Sequence, residues 1–419
     1  MKIENHSITI IGSGPSGVAT ALKLDRLGIP CMLIDKATFP RDKICGDGIS
    51  HRTVYILKQW IDPNIVERFA SNQNIQLDSW GLRVEGTKNN RTDIGYLTDY
   101  NKQTDTPSGF VCKRWEFDNF LVQEVKKSPL ITFHENIEII DYQKNTEGWL
   151  IKSKNEQLVI QSQLLIVADG AQSRFARIYG GITLDPKHYM ASVKAYYKGV
   201  AGFHKDNYLE FYFLKNFLPG YFWVFPLPNG EANVGIAMVS DEVSKRKLNL
   251  KKSLLEVIET TPKLKKRFEN AELISDIQGF GLPLGSKKRQ LSGDNYILVG
   301  DAASLIDPLT GEGIANALLS GVIAAEQAAQ CLTQNDFSAT ILRGYDERIY
   351  RIYGQEFKTS YLLQRWFKNS LFFNIIFWLI SKNTALARTF ATVFNDTNFK
   401  MQLLKPKVWW KFLRNKNKL

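Results

Sequence analysis

The sequence predicts a mixed α/β chain. A parallel, helix-covered sheet is interrupted by a mostly antiparallel β-sheet insertion and followed by a helical tail. Three observations predict it. A glycine-rich turn joins an apolar run to a helical pattern within the first 35 residues, and two later apolar runs end in Asp169 and in Gly300-Asp301. Between these runs, residues 186–285 alternate in polarity and are rich in aromatics, as antiparallel strands are. Beyond Tyr345 the chain turns basic and aromatic.

The 419 residues, 44% hydrophobic and 23% charged, suit one large domain or two intergrown ones and exclude disordered, collagen-like and coiled-coil classes. Of the net charge of +12, Tyr345–Leu419 supplies +10, from 14 Lys/Arg against 4 Asp/Glu, with 17 of the 50 aromatics. A near-neutral body with such a tail predicts an anionic surface as partner. Cys31, Cys45, Cys112 and Cys331 form no CxxC pair, which excludes metal-finger and disulfide scaffolds and points to a reducing compartment. Residues 1–5 lead straight into a strand, so no secretory signal is expected and the location predicted is cytoplasmic. His6, His51, His134, His188 and His204 are scattered, with no spacing for a metal or a Ser-His-Asp triad. His51 reads as loop filler.

Residues 8–11 read as a buried strand, followed by Gly12-Ser13-Gly14-Pro15-Ser16-Gly17 and a helix through Val18, Ala21, Leu22 and Leu24 that stops near Gly28. A second strand, residues 31–34, ends on Asp35-Lys36. This is the opening βαβ of a Rossmann-like domain. The glycines permit a tight turn and let backbone N–H groups approach a pyrophosphate at the helix N-terminus, and Asp35 is placed to accept hydrogen bonds from a ribose. A dinucleotide is therefore expected. Residues 164–168 end at Asp169-Gly170, and residues 296–299 end at Gly300-Asp301 before a helical stretch over 313–332. Ligands of such sheets sit at the carboxyl ends of the strands, so these ends are expected to meet around one cofactor. Residues 243–270, with spaced Leu and many Lys, read as surface helix.

Ala168-Asp169-Gly170-x-x-Ser173 and Gly300-Asp301-Ala302-Ala303…Pro308-Leu309-x-Gly311-x-Gly313-Ile314 resemble two further fingerprints of FAD enzymes with the para-hydroxybenzoate hydroxylase fold. Taken alone, Gly300-Asp301 would be a helix N-cap. The resemblance implies FAD, with Asp301 on the ribityl chain and the glycine-rich helix start facing the flavin. It also implies that Arg114, in Arg114-x-x-Phe117-Asp118, reaches the cofactor. Pro40-Arg41-Asp42-Lys43-Ile44-Cys45-Gly46-Asp47-Gly48 and Tyr221-x-Trp223-x-Phe225-Pro226, followed by Val234-Gly235, are similar to segments of the geranylgeranyl reductase family. The likeness spans residues 7–330, with Ala237 where many relatives carry Gly.

That family implies an FAD-dependent reductase saturating carbon–carbon double bonds of a polyprenyl lipid or quinone. Hydride comes from reduced flavin and a proton from an acid near Cys45 or Tyr221. Arg41, Cys45, Gly46 and Asp47 are then expected at the cofactor, and Cys45, Tyr221 and Trp223 at the reacting atoms. A lone cysteine is otherwise a small buried hydrophobe. Phe211, Phe213, Phe217, Tyr221, Phe222, Trp223, Phe225 and Pro226 either line an apolar channel for the chain or form ordinary sheet core. With one nucleotide-binding βαβ, the electron donor is either transiently bound NAD(P)H or a reduced protein carrier.

The FAD-binding segments expected are 1–80, 111–185 and 286–340, with substrate-domain segments 81–110 and 186–285 and a tail over 341–419. Residues 371–380 are apolar but too short to cross a bilayer, and read either as a membrane contact or as a helix packed on the body. Residues 405–418 interleave cations with Trp and Phe, the pattern of an interfacial element. A peripheral membrane contact through 371–418 is the reading preferred over nucleic acid, for which no motif is present. Two rivals stand beside the reductase. One is a monooxygenase or halogenase of the same fold, although Tyr221 stands where the halogenase Trp-x-Trp-x-x-Pro signature needs Trp. The other is a membrane-docked redox sensor.

Overall fold

The computed structural model describes residues 3–70, 75–88, 90–96, 102, 107–154 and 158–382. Five parallel strands centre the first sheet, in the spatial order Tyr296–Leu298, Val159–Val167, Ile3–Ile11, Cys31–Ile34 and Ile131–His134. Ile8, Ile10, Leu33, Ile166 and Ile297 have no exposed surface. Their side chains are buried on both faces of the sheet, which is why these strands read as continuous apolar runs. The first strand starts at Ile3, ahead of the apolar run, because residues 3–6 already pair with Val159–Ser162. Ile11 pairs with both Ile34 and Val167, and Val167 with Leu298. The expected convergence is therefore present: Gly12, Asp35, Asp169 and Gly300 all leave the sheet at one edge.

The helix Pro15–Arg26 stops where Gly28 turns with φ 71°. Against it lies Ile314–Gln334, so close that a Cβ on Gly321 would stand 2.2 Å from the Ser16 carbonyl oxygen.

The second sheet runs, in spatial order, Glu272–Leu273, Tyr189–Lys198, Glu231–Val239, Gly220–Pro226, Leu209–Tyr212, Gly81–Glu85 and Arg91–Gly95, with Gln278–Pro283 also paired to Tyr189–Lys198. Its pairs are antiparallel except Leu209–Tyr212 with Gly81–Glu85. The strand Gly109–Cys112 instead pairs with Gly48–Ile49 and Gln76–Ser79 in a small third sheet.

Alternation along Gly220–Pro226 sends Tyr221, Trp223 and Phe225 to one face, with Phe211 and Phe213. Phe222 and Val224 go to the other, with Tyr212 and Phe217. That other face is covered by Leu254, Val257 and Leu264. The surface helix expected over 243–270 is three short ones, Ser240–Lys245, Leu250–Thr260 and Pro262–Phe268. Lys247, with φ 51°, breaks the first, and Pro262 starts the last.

The helix Ala339–Phe367 joins the two bodies. Leu342, Tyr345, Ile349 and Tyr353 pack in the first core, and Leu363 and Phe367 in the aromatic face of the second. The helix Ser370–Lys382 buries Phe373, Ile376 and Phe377 on that face. Its other side leaves Leu371, Ile375 and Trp378 exposed by 72%, 59% and 53%. Residues 371–380 thus combine both readings offered for them, while 405–418 lie outside the described residues.

Candidate active site

The glycine loop is built to a tolerance of a few tenths of an ångström. A Cβ on Gly17 would meet the Gly12 carbonyl oxygen at 1.8 Å, and one on Gly12, whose φ is 100°, would meet the Ala168 oxygen at 2.4 Å. Gly14 differs, because its nearest neighbour would be Arg41 Nη2 at 3.9 Å. Space is therefore left over the first turn of Pro15–Arg26, which has no side-chain cap. The first turn of Ile314–Gln334, opening at Gly313, is likewise uncapped by any side chain. Two helix N-termini with free amide donors suit the phosphates of a dinucleotide. Asp35 does more than await a ribose: its Oδ2 accepts from Ser13 N and Oγ (2.7 and 2.8 Å) and its Oδ1 from Ala37 N (2.8 Å), so it holds the loop itself. Lys36, beside it, is exposed.

Asp169 sits at the end of its strand, before Gly170 with φ 82°. Its Oδ1 is buried with no hydrogen-bond partner among the described residues, and burial pushes the carboxyl up to about 6. An unmatched acceptor facing this edge fits the hydroxyl-rich part of a dinucleotide. The folded value lies above the usual ~3.9 of an unfolded chain, so this group's contribution to apoprotein stability is full below about pH 4 and is lost as pH rises through about 6. Asp169→Asn, uncharged throughout, is expected to gain on the wild type by about 2 kcal/mol between pH 4 and 7 in urea unfolding of the apoprotein. A mutant-to-wild-type difference that is flat with pH would remove Asp169 as a buried acid.

Asp118 joins two cations near the loop. It takes Arg114 in a fork (2.7 Å from each of Nε and Nη2) and Arg41 Nη1 at 2.9 Å. The partly exposed Cys45 side chain lies within electrostatic reach of the Arg114 guanidinium. Lys43 lies over the Phe280 ring at 3.1 Å, and its burial lowers it to about 8, against the opposing pull of Asp301. Burial in turn raises the Asp301 carboxyl. A Cβ on Gly313 would stand 3.5 Å from Asp301 Oδ1. Lys43, Arg114, Cys45 and Asp301 thus lie within electrostatic reach of one another, and a Cβ on Gly46, beside Cys45, would stand 3.3 Å from the Phe225 ring.

The Cys45 loop is tied to the second sheet through Asn233. Its Nδ2 donates to Cys45 O (2.8 Å) and Asp47 Oδ2 (2.7 Å), while its Oδ1 accepts from Trp223 Nε1 (2.9 Å). Tyr196 Oη adds a bond to Asp47 Oδ2 at 2.8 Å. Trp223 explains Gly235, whose Cβ would lie 2.1 Å from the indole. Tyr221 Oη donates to Thr310 O (2.6 Å) and would meet a Cβ on Gly311 at 2.8 Å. The aromatic face therefore touches the loop of Pro308 and Gly311 that precedes Ile314.

Two expectations need correction. Asp47 has no exposed surface and its carboxylate is held by Tyr196 and Asn233, so this side chain positions the Cys45 loop and its carboxylate is not free for a cofactor. Phe222 lies on the helix-covered face, turned from the site by strand alternation, and Phe217 joins it there. Pro226, buried at the end of the strand, pairs with Ala232. Phe213, Tyr221, Trp223 and Phe225 do share the site-side face. Cys31, Cys112 and Cys331 are buried, which pushes their thiols up, to about 12 for Cys31 and about 11 for Cys331. Sequence reasoning missed Asn233 and Asp118. A polar residue inside the apolar strand 231–239 was the available signal for the first, and the i,i+4 spacing from Arg114 for the second.

The family described as FAD binding domain matches residues 5–348. The chain belongs to that family. This FAD-binding chain is 28% identical over 352 residues to digeranylgeranylglycerophospholipid reductase of Thermoplasma acidophilum, covering 83% of this chain and 84% of that one. It is 28% identical over 334 residues to menaquinone reductase of Mycobacterium tuberculosis, covering 77% and 76%. Among solved structures it resembles a geranylgeranyl bacteriochlorophyll reductase-like protein of T. acidophilum, with a TM-score of 0.79 and 23% identity over 99% of this chain and 100% of that one. A triple mutant of a flavin-dependent brominase is also similar, with a TM-score of 0.72 and 19% identity over 95% and 98%. The two structural likenesses show the fold.

Proposed function

We propose that this FAD-binding chain is a reductase that saturates carbon–carbon double bonds of a polyprenyl lipid or quinone. The observation that carries it is the joining of Cys45, on its Asn233-anchored loop, to the aromatic face of Phe211, Phe213, Tyr221, Trp223 and Phe225. An apolar wall excludes water and accepts an isoprenoid chain, and an acid stands at its edge. The names of the reductase relatives support the same reading. Gly12, Gly14, Gly17, Asp169, Gly300, Asp301 and Gly313 would hold the cofactor, which when bound and reduced supplies a hydride.

An isolated alkene is a poor electrophile, so its second carbon needs a proton at the same time. The Tyr221 hydroxyl already donates to Thr310, and burial pushes it up, which makes it a poor acid. The proton therefore comes from Cys45 Sγ. The π bond opens, two C–H bonds form, and the resulting thiolate lies against Arg114 until it is reprotonated from solvent by way of Lys43. The source of electrons is NAD(P)H or a reduced carrier.

The exposed stripe of Leu371, Ile375 and Trp378 would rest on an anionic membrane, peripherally and from the cytoplasmic side. No helix among the described residues is long and apolar enough to cross a membrane. Hydroxylation is the second reading. Tyr221 stands where the halogenase signature needs Trp, which argues against halogenation and leaves hydroxylation open.

Chemically reduced, FAD-loaded protein would be incubated without oxygen with a polyprenyl quinone, geranylgeranyl phosphate or geranylgeranyl diphosphate in anionic vesicles. Mass spectrometry of the lipids should show a gain of two hydrogens per turnover. An added oxygen atom once air and NADPH are supplied, with no saturation before, would make the protein a hydroxylase. Lipid binding that follows the flavin's redox state with no altered lipid would make it a sensor.

A further inference from the structure

At the junction of the two bodies lies a cleft of about 410 Å³ outside the site described above. Four cations line it, Lys187, Lys245, Arg365 and Lys368, against two carboxylates, Asp241 and Glu242. Both carboxylates are taken: Asp241 pairs with Lys245 at 2.6 Å, and Glu242 with Lys368 at 2.6 Å and Arg246 at 2.8 Å. Among the described residues, Lys187 and Arg365 make no ion pair: Lys187 is within electrostatic reach of Asp241, which Lys245 already holds, and Arg365 stands over the Tyr361 ring. Cations in excess of carboxylates in a concave, partly walled space attract an anion more strongly than cations spread on open surface.

The walls of the cleft give it a purpose. Pro219 and Val239 line it, and they stand at the ends of the two strands that carry Tyr221 and Ala237. Ala339–Phe367 turns Leu363 and Phe367 into the aromatic face, while Tyr361, Gln364, Arg365 and Lys368 face the cleft. Gln364 Nε2 donates to the carbonyl oxygen of Pro308, in the loop that receives the Tyr221 hydroxyl through Thr310. A cationic cleft therefore shares one helix and one loop with an apolar aromatic wall. That arrangement matches an amphiphile with a long hydrocarbon chain and an anionic head.

Resting on the polyprenyl reading above, we propose that this cleft binds the phosphate-bearing headgroup of the lipid and that Lys187 and Arg365 are its recognition residues. The substrate class is then a phosphorylated polyprenyl lipid in preference to a neutral quinone. Phosphate suits this pair because a guanidinium gives it two parallel donors and an ammonium adds a point charge.

The test uses full-length, FAD-loaded protein in neutral detergent, with geranylgeranyl phosphate, a neutral polyprenyl quinone and inorganic phosphate as probes. The double variant Lys187→Ala/Arg365→Ala is expected to bind geranylgeranyl phosphate at least about tenfold more weakly by calorimetry. Its KM for that lipid should rise similarly, with kcat, retained flavin and the KM for the quinone unchanged. Lys187→Arg/Arg365→Lys should restore most of the affinity. Equal binding by wild type and double variant, or a KM rise on the quinone as well, overturns the assignment. Inorganic phosphate binding as tightly as the lipid also overturns it, since the cleft would then be a free-anion site. If wild type saturates neither lipid, the reductase reading fails, while the calorimetry still decides the cleft.

Discussion

A Gly14→Ala protein is expected to fold as the wild type does and to lose its FAD. The backbone at Gly14, with φ −71° and ψ −179°, is one any residue adopts, and the new methyl would lie 3.9 Å from its nearest neighbour. The protein has room for that methyl, but a pyrophosphate drawn against the uncapped first turn of Pro15–Arg26 does not. Overpacking at such a contact costs about 1–3 kcal/mol, so FAD should bind about 5- to 150-fold more weakly. The readout is flavin absorbance retained through gel filtration, with apoprotein melting shifted by less than about 2 °C. Gly17→Ala is the contrasting case, since its Cβ would lie 1.8 Å from a backbone oxygen and folding itself should suffer. A Gly14→Ala protein that kept its flavin would show that this loop does not carry the pyrophosphate.

Cys45→Ala is expected to keep FAD and lose turnover by about 100-fold or more, the usual loss when a positioned proton donor is removed. The loop should survive the change. Its backbone is held from outside by Asn233 on Cys45 O, and Asp47 beneath it is fixed by Asn233 and Tyr196. What disappears is the Sγ that meets Arg114. The assay is saturation of geranylgeranyl phosphate followed by mass spectrometry, beside the flavin spectrum and the rate of flavin reduction by dithionite. Cys45→Ser, which keeps a proton on a weaker acid, should fall between the two. Full turnover by Cys45→Ala would take the thiol out of the reaction and leave the proton to solvent.

The parts of the site that could be read in the sequence are those made by short-range geometry. A tight turn between a strand and a helix needs glycine at fixed spacing, so Gly12, Gly14 and Gly17 identify the loop before any fold is known. Strands buried on both faces of a parallel sheet leave unmistakable apolar runs, and the Asp residues that end them mark one edge. Phe222 was less legible. In a strand whose two faces are both buried, a run of aromatics no longer says which face meets the ligand. Asp47 was hard to read for a related reason: the motif does not record that its carboxylate is buried and bound by Tyr196 and Asn233 from another strand pair.

By itself the sequence determined the fold class, the glycine cradle, the Asp-terminated strand ends and the basic, aromatic bias of the last 75 residues. Each depends on residues close along the chain, whose spacing fixes backbone geometry. Tertiary structure alone decided that Asn233, which holds Trp223, reaches Cys45 across 188 residues, and that the Tyr221 hydroxyl donates a hydrogen bond to the Thr310 carbonyl oxygen. It also decided that one helix turns apolar residues to the aromatic wall and cations to a cleft. Such contacts join side chains brought together by sheet register and helix packing, and no local pattern records them.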